Sequence, residues 1–164
     1  MVEFTFAEST ELLSIVQELF KEYACSLDFD LCFQNFDKEL AELPGEYAPP
    51  DGRLIVAINE TKVVGCVALR KIINGICEMK RLYVRPAYRS KGIGRELVRA
   101  IIGEAEKIGY TQMRLDTVPA MKEAIGLYRS TGFYEIEPYR NNPVEGAMFL
   151  ELALKPSSKR RLKD

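Results

Sequence analysis

The chain has 164 residues, 47% of them hydrophobic and 29% charged, and a formal net charge of -1. That length supports one domain with its own core, and the near-neutral balance offers no basic surface for nucleic acid. Histidine is absent, which removes Ser-His-Asp triads, Cys-His nucleophile pairs and His-ligated zinc in one step. Any acid–base chemistry must therefore run on carboxylate, tyrosine, lysine, cysteine or water. No apolar run approaches the roughly 20 residues of a bilayer span. No basic segment with an apolar core opens the chain, so no membrane partner is expected and the cytoplasm is the expected compartment. Cys25, Cys32, Cys66 and Cys77 lack the spacing of a metal site and read as reduced, buried thiols. The segment 155–164 holds five basic residues and one acid, hence +4, which leaves -5 (-1 minus +4) for the rest.

Taken in order, Val2 to Phe6 alternates as a strand. Ser9 or Thr10 can cap a helix whose apolar positions Leu12, Val16, Leu19, Phe20 and Tyr23 keep helical spacing. A second helical stretch, residues 31–43, carries Phe33, Phe36 and Leu40 and ends in Pro44-Gly45 and a turn-rich run. Residues 53–58 and 62–71 read as strands joined by a short hairpin, and Asn74-Gly75 marks another hairpin turn before the strand Ile76 to Val84. The run Arg89-Ser90-Lys91-Gly92-Ile93-Gly94-Arg95 then opens a long helix. Its apolar face is Ile93, Leu97, Val98, Ile101, Ile102, Ala105 and Ile108, and it ends near Gly109. Residues 113–118 form a further strand, 121–130 a short helix stopped by Gly132, and 133–136 and 147–154 two last strands. The order is β-α-α-β-β-β-α-β-α-β-β. The domain is expected to span residues 1–154, with 155–164 a basic, disordered tail.

A basic, glycine-containing turn at a helix start is an anion site. The first-turn N–H groups are unpaired, the dipole end is positive, and glycines admit a ligand close to the backbone. The acidic residues Asp28, Asp30, Glu39, Glu42 and Glu46 can attract a cationic substrate or simply form a solvated surface.

Two segments carry a resemblance. Arg89-Ser90-Lys91-Gly92-Ile93-Gly94 resembles the Q/R-x-x-G-x-G/A pyrophosphate loop of the GNAT-type N-acetyltransferases, and it sits after the fourth strand as it does in that superfamily. Leu127-Tyr128-Arg129-Ser130-Thr131-Gly132-Phe133 resembles the family's L-Y-x-x-x-G-F segment. The resemblance implies an α/β fold with a central mixed, mostly antiparallel sheet of seven strands. Four helices would lie on its faces, with a splay between strands 4 and 5. It implies acetyl-CoA as cosubstrate, no metal, and direct transfer to a primary amine of a small-molecule or amino-acid-like acceptor. Protein or peptide acetylation, or acyl-CoA sensing without turnover, stand as alternatives.

The implied cofactor contacts are Arg89, Ser90, Lys91, Gly92, Ile93, Gly94 and Arg95 for the pyrophosphate. Leu82, Tyr83 and Val84 would run along the pantetheine arm, with the Leu82 N–H as oxyanion donor. Tyr128 would protonate the departing thiolate. Glu78 would accept the proton of the ammonium, directly or through water; pairing to Lys80 or Arg81 on a solvated face is its bland alternative. An acetyl-cysteine route through Cys66 or Cys77 is the less expected course. The apolar late strands 133–154 could also serve a homodimer.

Overall fold

The computed structural model describes residues 1–27 and 35–156, which leaves the beginning of the expected second helix and most of the tail outside the described residues. Seven strands form one sheet: β1 (Val2–Phe6), β2 (Arg53–Asn59), β3 (Lys62–Ile73), β4 (Ile76–Val84), β5 (Gln112–Thr117), β6 (Tyr134–Ile136) and β7 (Met148–Ala153). Their order across the sheet is β1-β2-β3-β4-β5-β7-β6. Neighbours are antiparallel except β4 and β5, which run parallel. Four helices accompany them: α1 (Thr10–Cys25), α2 (Phe36–Glu42), α3 (Ile93–Ile108) and α4 (Lys122–Thr131). The expected mixed sheet with four helices is the observed one. Among the described residues no helix is long and apolar enough to cross a membrane.

Each face of the sheet holds its own core. On one, Ile93, Leu97, Val98, Ile101 and Ala105 of α3 are buried against Val67, Leu69, Cys77, Met79, Met113 and Leu115, joined by Tyr128 of α4. Leu97 and Ile101 are fully buried, so truncating either would cost about 2–5 kcal/mol. Gly109, at φ 113°, ends α3 in the left-handed conformation that glycine adopts most cheaply, as the sequence predicts. On the other face, Val16, Leu19 and Phe20 of α1 and Phe36 of α2 pack on Val56, Cys66 and Tyr83. Ser9 caps α1, accepting from the Leu12 N–H at 3.1 Å.

The sheet is irregular at one place that matters. Cys66 pairs with Tyr83 and Ala68 with Lys80, so β4 carries one residue more than β3 across that interval: a β-bulge. Arg81 stands in it at φ 60°, a left-handed conformation that costs a non-glycine residue on the order of 1–2 kcal/mol. It is held from several directions. Its guanidinium makes two hydrogen bonds to the Glu39 carboxylate, at 2.9 and 3.0 Å, and lies 5.3 Å from the Phe36 ring. The Cys66 thiol donates to the Arg81 carbonyl at 3.4 Å.

The extra residue changes the phase of side-chain alternation. Before it, Cys77 and Met79 join the α3 core while Glu78 and Lys80 turn to the other face; after it, Leu82 and Val84 pack on the α3 core and Tyr83 on the α1 core. Simple alternation puts Glu78, Lys80, Leu82 and Val84 on one face, and the bulge separates the first two from the last two.

Candidate active site

Strands β4 and β5 pair only from Ile76 to Glu78 against Gln112 to Arg114, then diverge. Between them opens a cleft of about 1020 Å³. Leu82, Tyr83 and Val84 form one wall, and Val118 to Ala124 with Leu127 form the other. Arg89, Ser90, Gly92, Ile93, Gly94 and Arg95 close one end. Lys91 is the one residue of the expected loop that does not line the cleft; its ammonium lies 5.6 Å from the Tyr88 ring instead.

The closed end is the start of α3. Ser90 at φ 65° and Gly92 at φ 83° turn the chain into the helix, and no side chain caps it. A Cβ placed on Gly92 would meet nothing within 4 Å, so the backbone sign rather than crowding calls for glycine there. Arg89 donates from Nε to the Val84 carbonyl at 2.8 Å and lies 5.6 Å from the Tyr83 ring, which fixes its charge beside the cleft. An uncapped helix start flanked by Arg89 and Arg95 suits an anionic group such as a pyrophosphate.

Deeper in, where the strands part, lies a narrow hollow of about 40 Å³. Tyr128, Lys80, Asp116, Leu82, Arg81 and Tyr23 are among the residues lining it. α4 ends at Gly132, φ 115°, where the Phe133 N–H bonds the Tyr128 carbonyl at 3.0 Å. That closure sets the Phe133 ring 5.7 Å from the Tyr128 ring and fixes the phenol's direction. The Tyr128 hydroxyl makes no hydrogen bond to a described residue. Burial pushes its pKa well above the ordinary phenol value, so it keeps its proton at neutral pH.

Glu78 lines neither space. It is wholly buried, and its carboxylate accepts from Tyr139 Oη at 2.6 Å, Arg70 Nε at 2.8 Å and Arg140 Nη2 at 2.6 Å. Burial alone would raise its pKa, but Lys80, Arg140 and Arg70, with the Tyr139 hydrogen bond, outweigh it and hold the group below the usual carboxylate range. The bland expectation of a solvated Glu paired to Lys80 or Arg81 is also corrected, because its ion pairs are to Arg70 and Arg140 and it is buried.

Lys80, two residues on, is among the residues that line the hollow. Burial lowers its ammonium pKa most, and Arg81, Arg70 and Arg140 lower it further against the pull of Glu78, to about 7. Sequence reading gave Lys80 no role beyond a partner for Glu78. The only hint was a charged pair, Lys80-Arg81, in the middle of a strand bounded by apolar residues. Asp116, Tyr139 and Arg140 gave no signal at all. Of the acidic residues expected to attract a cation, Glu39 and Glu46 are engaged with Arg81 and Arg70. Glu42 is exposed, and Asp28 and Asp30 lie outside the described residues, as does Cys32. Burial drives the Cys66 thiol up to about 12 and Cys77 higher still, so neither offers a thiolate at neutral pH.

Splayed parallel strands, an uncapped glycine helix start at one end and a buried phenol at the other together define a cleft for an elongated ligand with an anionic end. Comparison with known proteins agrees. The model of the acetyltransferase (GNAT) family matches residues 12–133. The chain is 44% identical over 138 residues to an uncharacterized N-acetyltransferase of Schizosaccharomyces pombe, covering 83% of this chain and 85% of that one. It is 33% identical over 210 residues to another from Dictyostelium discoideum, covering 90% and 97%. A GNAT-family acetyltransferase structure from Staphylococcus aureus superposes with a TM-score of 0.78 at 20% identity, over 94% of this chain and 100% of that one. The PaiA N-acetyltransferase of Thermoplasma acidophilum, solved with coenzyme A, does so at 0.73 and 20% identity, over 93% and 99%. The chain belongs to the GNAT acetyltransferase family. It is thereby an acetyl-CoA-dependent N-acetyltransferase.

Proposed function

We propose that the chain moves an acetyl group from acetyl-CoA to the primary amine of a small-molecule or amino-acid-like acceptor by direct transfer. The observation that carries this reading is the Tyr128 phenol, which points no hydrogen bond elsewhere and lines the hollow where β4 and β5 part.

In this reading the first-turn N–H groups of α3, with Arg89 and Arg95, hold the pyrophosphate of the cosubstrate. Leu82, Tyr83 and Val84 follow the pantetheine, and the Leu82 N–H, beside the bulge, polarises the thioester carbonyl. Attack by the neutral amine breaks the carbon–sulfur bond, and Tyr128 gives its proton to the departing thiolate. The phenolate recovers a proton from the nitrogen of the new amide. The acceptor's ammonium gives its proton to solvent water before attack, and Glu78, whose oxygens already accept from Arg70, Tyr139 and Arg140, acts only as a fixed negative charge nearby.

The test is thiol release from acetyl-CoA against a panel of small amines, amino acids, polyamines and short peptides. Release dependent on a small amine is the expected result; release with peptides alone would overturn the acceptor class. In parallel, Gly92→Val forces a β-branched residue into a left-handed conformation at the anion site. It should raise the acetyl-CoA KM about tenfold or more, and an unchanged KM would refute the loop assignment.

A further inference from the structure

We propose that Glu39 is a positioning residue for acetyl transfer: through Arg81 it holds the β4 bulge in the form that offers the Leu82 N–H to the thioester. The inference rests on the transferase reading above and names the side chains that set its oxyanion donor.

The bulge carries it. Between the pairs Cys66–Tyr83 and Ala68–Lys80, Arg81 and Leu82 stand together opposite Val67 alone, and the ladder to β5 has already ended at Glu78. Leu82 is the β4 residue that lines both the cleft and the hollow, so it sits where the two spaces meet. What puts it there is the left-handed backbone one residue earlier, φ 60° at Arg81. A non-glycine residue in mid-strand avoids that conformation, and it persists only where the surroundings over-determine it.

Those surroundings act through the Arg81 side chain. Its Nε and Nη2 donate to the two oxygens of Glu39 on α2, at 2.9 and 3.0 Å. Such a bidentate, charge-assisted pair fixes direction as well as distance. The same guanidinium lies 5.3 Å from the ring of Phe36, also on α2, and 6.0 Å from the ring of Tyr23 on α1. The Arg81 side chain is 2% exposed and that of Glu39 13%, so water competes little with the pair. From β3, the Cys66 thiol holds the Arg81 carbonyl at 3.4 Å. Helix α2 thus grips β4 at the strained residue itself. Apolar residues of similar volume often serve stability as well as a buried ion pair does, but they have no fork with which to direct a backbone torsion. With the grip released, residue 81 relaxes toward extended backbone and the Leu82 N–H swings from its place. A displacement of about 1 Å is enough to cost about 100-fold in rate.

The experiment binds acetyl-CoA, isotope-labelled at the thioester carbonyl, to wild type and variants without an acceptor, and reads the carbonyl stretch by infrared difference spectroscopy. In wild type the stretch should fall below its value in free solution, as for a carbonyl that accepts from a fixed N–H. Glu39→Gln keeps one acceptor oxygen but not the charged, bidentate grip. It should lose most of that downshift with the acetyl-CoA Kd little changed, since the anion site at the start of α3 is untouched. With an amine that is acetylated, its kcat should fall about tenfold or more. Two double variants keep the result from resting on a broken ion pair. Glu39→Gln with Arg81→Gly and Glu39→Gln with Arg81→Ala both remove the buried charge and differ by a single Cβ. Glycine enters the left-handed region freely, whereas alanine does so at a penalty of about 5- to 30-fold in population. The glycine double should therefore keep the larger downshift and a kcat about 5- to 30-fold above the alanine double. All are compared below their unfolding midpoints, checked by circular dichroism. Equal carbonyl positions and equal kcat in the two doubles would overturn the proposal. If wild type shows no downshift, the oxyanion reading falls and this inference with it; if wild type shows one and Glu39→Gln retains it, the inference alone falls.

Discussion

A lysine held near neutrality inside a fold must show itself in stability, without any substrate. In the folded chain Lys80 titrates at about 7 against 10.5 for an ordinary lysine. Its folded pKa is depressed, so between those two values the unfolded chain binds more protons, and stability rises as pH rises through the window. Relative to an uncharged side chain of similar shape, the burden works out at about 4 kcal/mol at pH 7 and about 2 kcal/mol at pH 9. Lys80→Met removes the titration while keeping most of the buried volume. The variant should therefore unfold at higher urea than wild type at pH 7, and the difference between the two should shrink by about 2 kcal/mol on going to pH 9. Other groups that titrate in this range cancel in the difference unless they contact Lys80. Urea titrations followed by circular dichroism at the two pH values suffice. A difference that stays flat between them would show that Lys80 carries its ordinary charge in the fold, and would refute the reasoning about its surroundings.

Two other substitutions are equally direct. Tyr128→Phe keeps the ring against Phe133 and removes a hydroxyl that bonds no described residue, so unfolding should move by less than about 1 kcal/mol while kcat falls about 100-fold or more; near-wild-type kcat would exclude Tyr128 as the proton donor. Glu78→Gln leaves the half-buried Arg70 and Arg140 against a neutral amide and should destabilise by about 3 kcal/mol at pH 7. The folded pKa of Glu78 is depressed, so its contribution is present above the ordinary carboxylate value and is lost as pH falls through the folded one; urea unfolding of the two proteins should therefore converge in acid. Because Glu78 raises the Lys80 pKa, the same variant should lower the pH at which Lys80 titrates, read as a larger Lys80→Met stability difference in the Glu78→Gln background at pH 7 to 9, and a smaller difference would contradict the arrangement.

Much of the fold was legible because it rests on local periodicity. The α3 face from Ile93 to Ala105 repeats at helical spacing and is buried as that spacing requires. Gly109 and Gly132 stop their helices at positive φ, and Ile76–Val84 is the strand its alternation predicts. The loop at Gly92 was legible for the same reason, since glycine and basic residues at a helix start have a local meaning. What escaped depends on distant residues. Nothing about Arg81 announces a left-handed conformation, which sequence reading reserves for glycine or asparagine; it is held by Glu39, 42 positions away. Missing that bulge carries the alternation of β4 through unbroken, and Glu78 is then grouped with Leu82 and Val84. Tyr139 and Arg140, which saturate Glu78, lie 61 and 62 positions from it, and no spacing rule connects them.

The placement of charge argues that this segment exists for chemistry rather than for stability. Buried ion pairs are weak stabilisers, and apolar residues of similar volume often do as well or better. Cys77 and Met79, turned to the α3 side of the same strand, are apolar and fully or nearly buried. Glu78, Lys80 and Arg81, turned to the other side, are as deeply buried and all ionisable. The strained residue sits among them, and the parallel pairing to β5 ends there. A fold under selection for stability alone would have no reason to gather buried charge, backbone strain and a broken ladder within seven residues. Their coincidence at the place where the cleft meets the hollow of Tyr128 follows if the strand must present unpaired backbone to a thioester in the gap left by β5.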